Sequence, residues 1–101
     1  DYPTAIVTVE DSPLEGVGLE PVTEETRNQW NLEEEKGVLV TEVSARSPYA
    51  SVLTAGMTII EVNDVTVSSI GDLNENLRPG RVNKLWVSFR GNRGYVALRL
   101  E

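Results

Sequence analysis

Apolar and polar residues alternate along most of this chain in short β-type runs, and helical spacing interrupts them. Ala5-Ile6-Val7-Thr8-Val9 is β-branched and reads as a strand, broken at Asp11-Ser12-Pro13. Gly16-Val17-Gly18-Leu19 follows, with room for a short strand through Glu20. Pro21 stops that strand or keeps it at a sheet edge, because proline has no N–H for a ladder. Thr23-Glu24-Glu25-Thr26-Arg27-Asn28-Gln29-Trp30 reads as a helix capped by Thr23, with Glu24 and Glu25 at the positive end of its dipole. Its apolar anchors are Val22, Trp30 and Leu32. Gly37-Val38-Leu39-Val40-Thr41-Glu42-Val43 is the clearest strand. Its first half is apolar on both faces, so it belongs inside a sheet.

Ser47-Pro48 opens a short helix toward Leu53, with serine as cap and proline in the first turn. Tyr49 then reads as an aromatic on that helix's surface. Thr58-Ile59-Ile60-Glu61-Val62 is a strand, Asn63-Asp64 a tight turn, and Val65-Thr66-Val67 a brief return. In the next helix, residues 69–77, Ser69 and Asp72 resemble a capping box. Ile70, Leu73, Asn74 and Leu77 share one of its faces. Pro79-Gly80 ends it. A hairpin closes the chain: Leu85-Trp86-Val87-Ser88-Phe89-Arg90, a turn at Gly91-Asn92-Arg93-Gly94, then Tyr95-Val96-Ala97-Leu98-Arg99-Leu100. Trp86 points away from Leu85 and Val87, either into a second-face core or outward as an aromatic anchor; core packing is the expectation.

The 101 residues suffice for one domain. No apolar run approaches the roughly 20 residues of a membrane span, so no direct membrane insertion is expected. Beginning at Asp1-Tyr2-Pro3 and ending on strand-like sequence, the chain reads as a piece of a longer protein. There is no cysteine and no histidine, which excludes thiol nucleophiles, disulfides, imidazole bases and the usual zinc sites. No cofactor fingerprint is present either. Glu33-Glu34-Glu35 reads as a solvated run. The net charge of −7 is uneven: residues 1–77 hold 15 acids and 3 bases, whereas residues 78–101 hold six bases and Glu101. The sum repels phosphate, so nucleic acid is not an expected partner. The basic end is the solvated face of the hairpin or a contact for an acidic partner.

Gly16-Val17-Gly18-Leu19 can make an ordinary turn, or it can converge several N–H groups on an anion such as a peptide's terminal carboxylate. The order of elements favours the second use. It resembles a PDZ domain of the HtrA/Deg periplasmic serine protease type. Gly16-Val17-Gly18-Leu19 looks like that family's carboxylate loop, and Gly37-Val38-Leu39-Val40 with Val43 is similar to its "G-V-x-V-x-x-V" strand. Ser47-Pro48 with Ala50, Leu53-Thr54-Ala55-Gly56-Met57-Thr58-Ile59, Val62-Asn63-Asp64, Asp72-Leu73 with Leu77, and Arg90-Gly91 follow in the family's order. Met57, Asp64 and Val52 depart from the pattern, and Pro21 departs most consequentially.

The resemblance implies an α+β, PDZ-like fold: a five- to six-stranded, partly open antiparallel β-barrel or sandwich capped by two α-helices. Residues 1–13 would be a strand and linker from a preceding domain, and residues 14–101 the PDZ domain. A peptide C terminus or unfolded segment would lie between the strand of Leu19 and Pro21 and the helix of residues 70–77. Val17, Gly18 and Leu19 would offer amides that converge on an open hollow. Ile70, Asn74 and Leu77 would form the far wall, Leu73 would be core, and Ile70 implies an apolar preference. The module would recruit substrates to, or regulate, an attached periplasmic or cell-envelope protease whose catalytic residues lie outside this sequence. The alternative is a structural module that assembles protomers or contacts other domains of the parent protease, with a weak or closed groove. Pro21 supports this, and so does the leading strand Ala5-Ile6-Val7-Thr8-Val9. Site-2 metalloproteases, C-terminal processing proteases and secretion components are other PDZ hosts.

Overall fold

The run that is apolar on both faces sits inside the sheet. A computed structural model of the chain describes residue 14 and residues 16–99. The expected strand at residues 5–9 lies outside them. In chain order the elements are β1 (Val17–Pro21), α1 (Glu24–Trp30), β2 (Val38–Val43), β3 (Thr58–Val62), β4 (Val65–Thr66), α2 (Ile70–Asn76), β5 (Val82–Phe89) and β6 (Asn92–Arg99). Among the described residues the six strands form one antiparallel sheet in the order β1-β2-β3-β5-β6, with β4 on β3. β2 lies between β1 and β3, and its Val38, Leu39 and Val40 are fully buried. The main core gathers Val17 and Leu19 from β1, Val38 and Val40 from β2, Leu73 and Leu77 from the α2 region, and Leu85, Val87 and Leu98 from the last hairpin. This is the α+β architecture that the sequence leads one to expect, with two helices beside an open sheet.

α1 starts where Thr23 caps it. Thr23 Oγ1 accepts from Thr26 N at 3.2 Å, and Thr26 Oγ1 accepts from Thr23 N at 2.8 Å, a reciprocal capping box. Its apolar anchoring differs from expectation. Trp30 is 37% exposed, and the buried residue of the helix is Thr26. A helix this poor in apolar groups is held by its cap and its flanking loops.

Residues 48–52 form successive turns instead of the expected helix. The bonds are mostly of the tight i→i+3 kind, Ala50 N to Ser47 O at 3.1 Å and Val52 N to Tyr49 O at 3.0 Å. The chain has no room for more. Within a few residues Gly56 N must reach Val40 O (2.8 Å), and Met57 O must accept from Val40 N (2.8 Å). Tyr49 is in the core, not on a surface, and pulls this segment inward.

The last hairpin turns earlier than its sequence suggests. Phe89 pairs with Asn92, so the loop is the two residues Arg90 and Gly91. Both have positive φ, +51° and +82°, as a type I′ turn requires. Asn63 and Asp64 make the same kind of turn between β3 and β4, at +51° and +71°. Arginine is a poor occupant of left-handed backbone, which strains a non-glycine residue by roughly 1–2 kcal/mol. Its guanidinium stacks over Phe89 at 5.1 Å, a surface contact worth roughly 0.5–1 kcal/mol. Arg90→Asn therefore gains about 0.5 kcal/mol and raises the melting temperature by roughly 2–4 °C; a fall on thermal unfolding would show that the stack outweighs the strain.

Trp86 is not core. It is half-buried and packs on Tyr95, with ring centroids 4.5 Å apart and Tyr95 61% exposed.

Candidate functional site

Among the described residues β1 ends the sheet on its side, with one edge paired to β2 and the other without a strand partner. Ser44 N donates to Gly16 O at 2.8 Å, and Val22 N donates to Gly37 O at 2.9 Å. These two bonds fix the alternation along the strand. Gly18 and Glu20 turn their backbone groups toward β2, while Leu19 and Pro21 present theirs to the open edge. The phase survives a register shift at Gly18/Leu19, where β2 carries one extra residue. Gly18 must lack a side chain there, because a Cβ would sit 2.8 Å from Thr41 Oγ1.

α2 packs beside β1. Asp72 N donates to Ser69 Oγ at 3.0 Å, so Ser69 caps the helix. The Asp72 carboxylate accepts from Ser68 N (3.1 Å), one residue upstream of the reciprocal bond a capping box makes. Leu73 and Leu77 are buried in the same core as Val17 and Leu19, which fixes the helix against the strand. Ile70 is half-buried against that core, and Asn74 is exposed. The two predicted walls are thus neighbours, with Leu19 and Pro21 on one and Ile70, Asn74 and Leu77 on the other.

The three expected amide donors differ in what they already bond. Val17 N donates to Leu14 O at 3.1 Å, closing the turn that leads into β1. Gly18 N belongs to the β1–β2 ladder, facing Glu42. Of the three expected donors, Leu19 N faces the open edge with no backbone bond among the described residues. Pro21 faces the same edge and has no N–H to offer.

The far end of α2 rests on a polar cluster that sequence reasoning missed. Asn83 is fully buried at the start of β5. Its Oδ1 accepts from Asn63 Nδ2 (2.9 Å) and Arg78 N (2.8 Å), and its Nδ2 donates to Arg78 O (3.1 Å) and Arg81 O (3.0 Å). Asn63 Nδ2 also donates to Asn76 O at 2.9 Å, tying the β3–β4 turn to the helix end. A detectable signal existed: an asparagine just ahead of an apolar alternation, at an inward position of the strand.

Charges pair within the chain. Arg93 meets Glu34 at 2.7 Å, so the glutamate run is not wholly solvated. Lys84 meets Asp64 at 2.8 Å, and that bonded carboxylate raises the ammonium above its ordinary value. Among the described residues no group of three or more acidic, His or Cys side chains could hold a metal ion, and no helix is long and apolar enough to cross a membrane.

No family model matches this sequence. A probable periplasmic serine endoprotease, DegP-like, from Bartonella henselae is 30% identical over 89 residues; the match covers 85% of this chain and 18% of that protein. The crystal structure of the HtrA3 PDZ domain bound to a phage-derived ligand (FGRWV) is similar at a TM-score of 0.74 and 21% identity, covering 85% of this chain and 82% of that one. The HtrA-type protease AlgW with a decapeptide is similar at 0.68 and 24% identity, covering 81% and 26%. With its edge strand beside a capped helix, the chain has the PDZ fold. It spans under a fifth of the protease it matches.

Proposed function

We propose that this module captures the C termini or unfolded segments of other proteins by strand addition along the open edge of β1. In this reading it recruits substrates to, or regulates, an HtrA/Deg-type serine protease in the periplasm or cell envelope. Residues 14–101 form the binding module, and residues 1–13 lead in from a preceding domain. The observation that carries the reading is the backbone of Leu19, without a strand partner among the described residues, on an edge strand next to α2. Main-chain pairing supplies affinity in such sites, and side-chain pockets supply selectivity. The ligands in the HtrA3 and AlgW structures lend support. Leu19 N is the first donor for a ligand carboxylate. Val17 N becomes the second by exchanging the Leu14 carbonyl for the carboxylate, while Gly18 backs the loop. Ile70, Asn74 and Leu77 receive the terminal side chain, and Ile70 selects an apolar one.

Titration of the chain with peptides ending in Val, Leu or Phe, followed by amide chemical shifts, tests this. Shifts should concentrate at residues 16–19 and 70–77 and should weaken when the peptide C terminus is amidated. Ile70→Ser should lower affinity for a Leu-ending peptide about tenfold, the loss expected from roughly 1.4 kcal/mol of apolar burial. Equal binding by free and amidated peptides would reject carboxylate capture. The engaged Val17 amide and Pro21 favour a second reading, a structural module that assembles protomers. Concentration-dependent self-association in sedimentation, with no peptide response, would select it.

A further inference from the structure

A cavity of about 470 Å3 opens between the C-terminal end of α1, the turn before β3 and the β5–β6 hairpin. None of its lining residues belongs to β1 or α2. The volume lies within the roughly 300–1,000 Å3 range of ligand pockets. Its walls include two aromatic rings, Trp30 and Phe89. The Phe89 ring lies against bare Gly56, where a Cβ would come within 3.3 Å of Cε1. Trp30 is 37% exposed, which leaves that side open.

Thr58 and Ser88 also line the cavity. They are cross-strand partners on β3 and β5, 1% and 7% exposed. No hydrogen bond to either hydroxyl occurs among the described residues. Two side chains of opposite sign, Glu33 and Arg90, add to the lining. The frame is fixed independently: Arg93 Nε and Nη2 bond Glu34 Oε2 at 2.9 and 2.7 Å, joining the hairpin to the loop after α1.

This chemistry selects its occupant. A hydrocarbon would leave two buried hydroxyls dry and unpaired. An indole brings a donor alone, whereas a phenol brings a donor and acceptor lone pairs, matching a pair of hydroxyls that can each do both. A charged head would find no counter-charge at Thr58 and Ser88, and the Glu33 and Arg90 charges oppose each other. We propose that the cavity is a second binding site for a hydroxyaromatic group, carried as a tyrosine side chain on an extended segment of a partner protein. The open Trp30 side admits the ring while it stays attached to its chain. Glu33, Arg90 and Asn31 are within the same lining to bond the segment's backbone.

The test uses the 101-residue chain with p-cresol, toluene and an acetylated, amidated Gly-Tyr-Gly peptide, which has no carboxylate to engage β1. Amide shifts should appear at Thr58, Ser88 and Gly91, with Gly18 and Leu19 unmoved. p-Cresol should bind at least fivefold tighter than toluene, and the blocked peptide tighter than p-cresol. Ser88→Ala should abolish the preference for p-cresol over toluene. Equal binding of p-cresol and toluene by the unaltered chain would overturn the site's polar selectivity. A peptide weaker than p-cresol would overturn its assignment to a protein segment.

Discussion

Replacing Asn83 by alanine should lower the unfolding free energy by about 3 kcal/mol, and the melting temperature by 12 °C or more on the scale of roughly 4–8 °C per kcal/mol for a domain this size. The side chain is fully buried and makes four hydrogen bonds, the number its amide can make. Alanine strands Arg78 N, one N–H of Asn63 Nδ2 and two carbonyls at once. An unpaired buried group costs about 1–3 kcal/mol; Arg78 and Arg81 are exposed, so water reaches part of the set and the sum is discounted to about 3. Asn83→Asp keeps the shape but turns a second oxygen toward the carbonyls of Arg78 and Arg81, so it should fare no better. Because Asn63 also holds Asn76 O, the loss reaches the end of α2 and should weaken peptide binding below the unfolding range. Chemical denaturation measures the first effect. A loss under 1 kcal/mol would mean that these bonds are replaced by water at little cost.

Pro21→Ala should strengthen peptide binding by roughly threefold to tenfold. Pro21 lies opposite Val38 as a pair that exchanges no ladder bonds, so the fold loses nothing by having proline there. The loss falls on the ligand, whose carbonyl opposite position 21 meets no N–H. Restoring one donor is worth about 0.5–1.5 kcal/mol net, which sets the fold-change. Folding stability should move little, and downward, since alanine frees the unfolded chain by roughly 0.4–1 kcal/mol. Calorimetric titration of both chains with one apolar-ended peptide decides it. Unchanged or weaker binding by the variant would mean that the ligand does not pair with β1 at that position.

Local signals in the sequence were enough for much of this. The both-faced apolar run at Val38-Leu39-Val40 identified the central strand, Thr23 and Ser69 marked both helix starts, and Asn63-Asp64 marked a turn. Contacts between distant segments were not legible. Glu34 and Arg93 lie 59 positions apart, and nothing near either one pointed to the other. Tyr49 became core because a short connection had to return to Val40. The hairpin turn shifted because Arg90 adopts a backbone that asparagine or glycine would normally mark. At the proposed site, the glycine spacing could not tell which amides the fold had already used. The bond from Val17 to Leu14 and the ladder phase at Gly18 decide that.

Hydrogen exchange at the Leu19 amide bears most directly on strand addition at β1. This N–H should exchange freely in the unliganded chain and become protected at least tenfold when a C-terminal peptide saturates the site. Full protection without peptide, or none gained at saturation, would mean that the open edge of β1 is not where ligands pair.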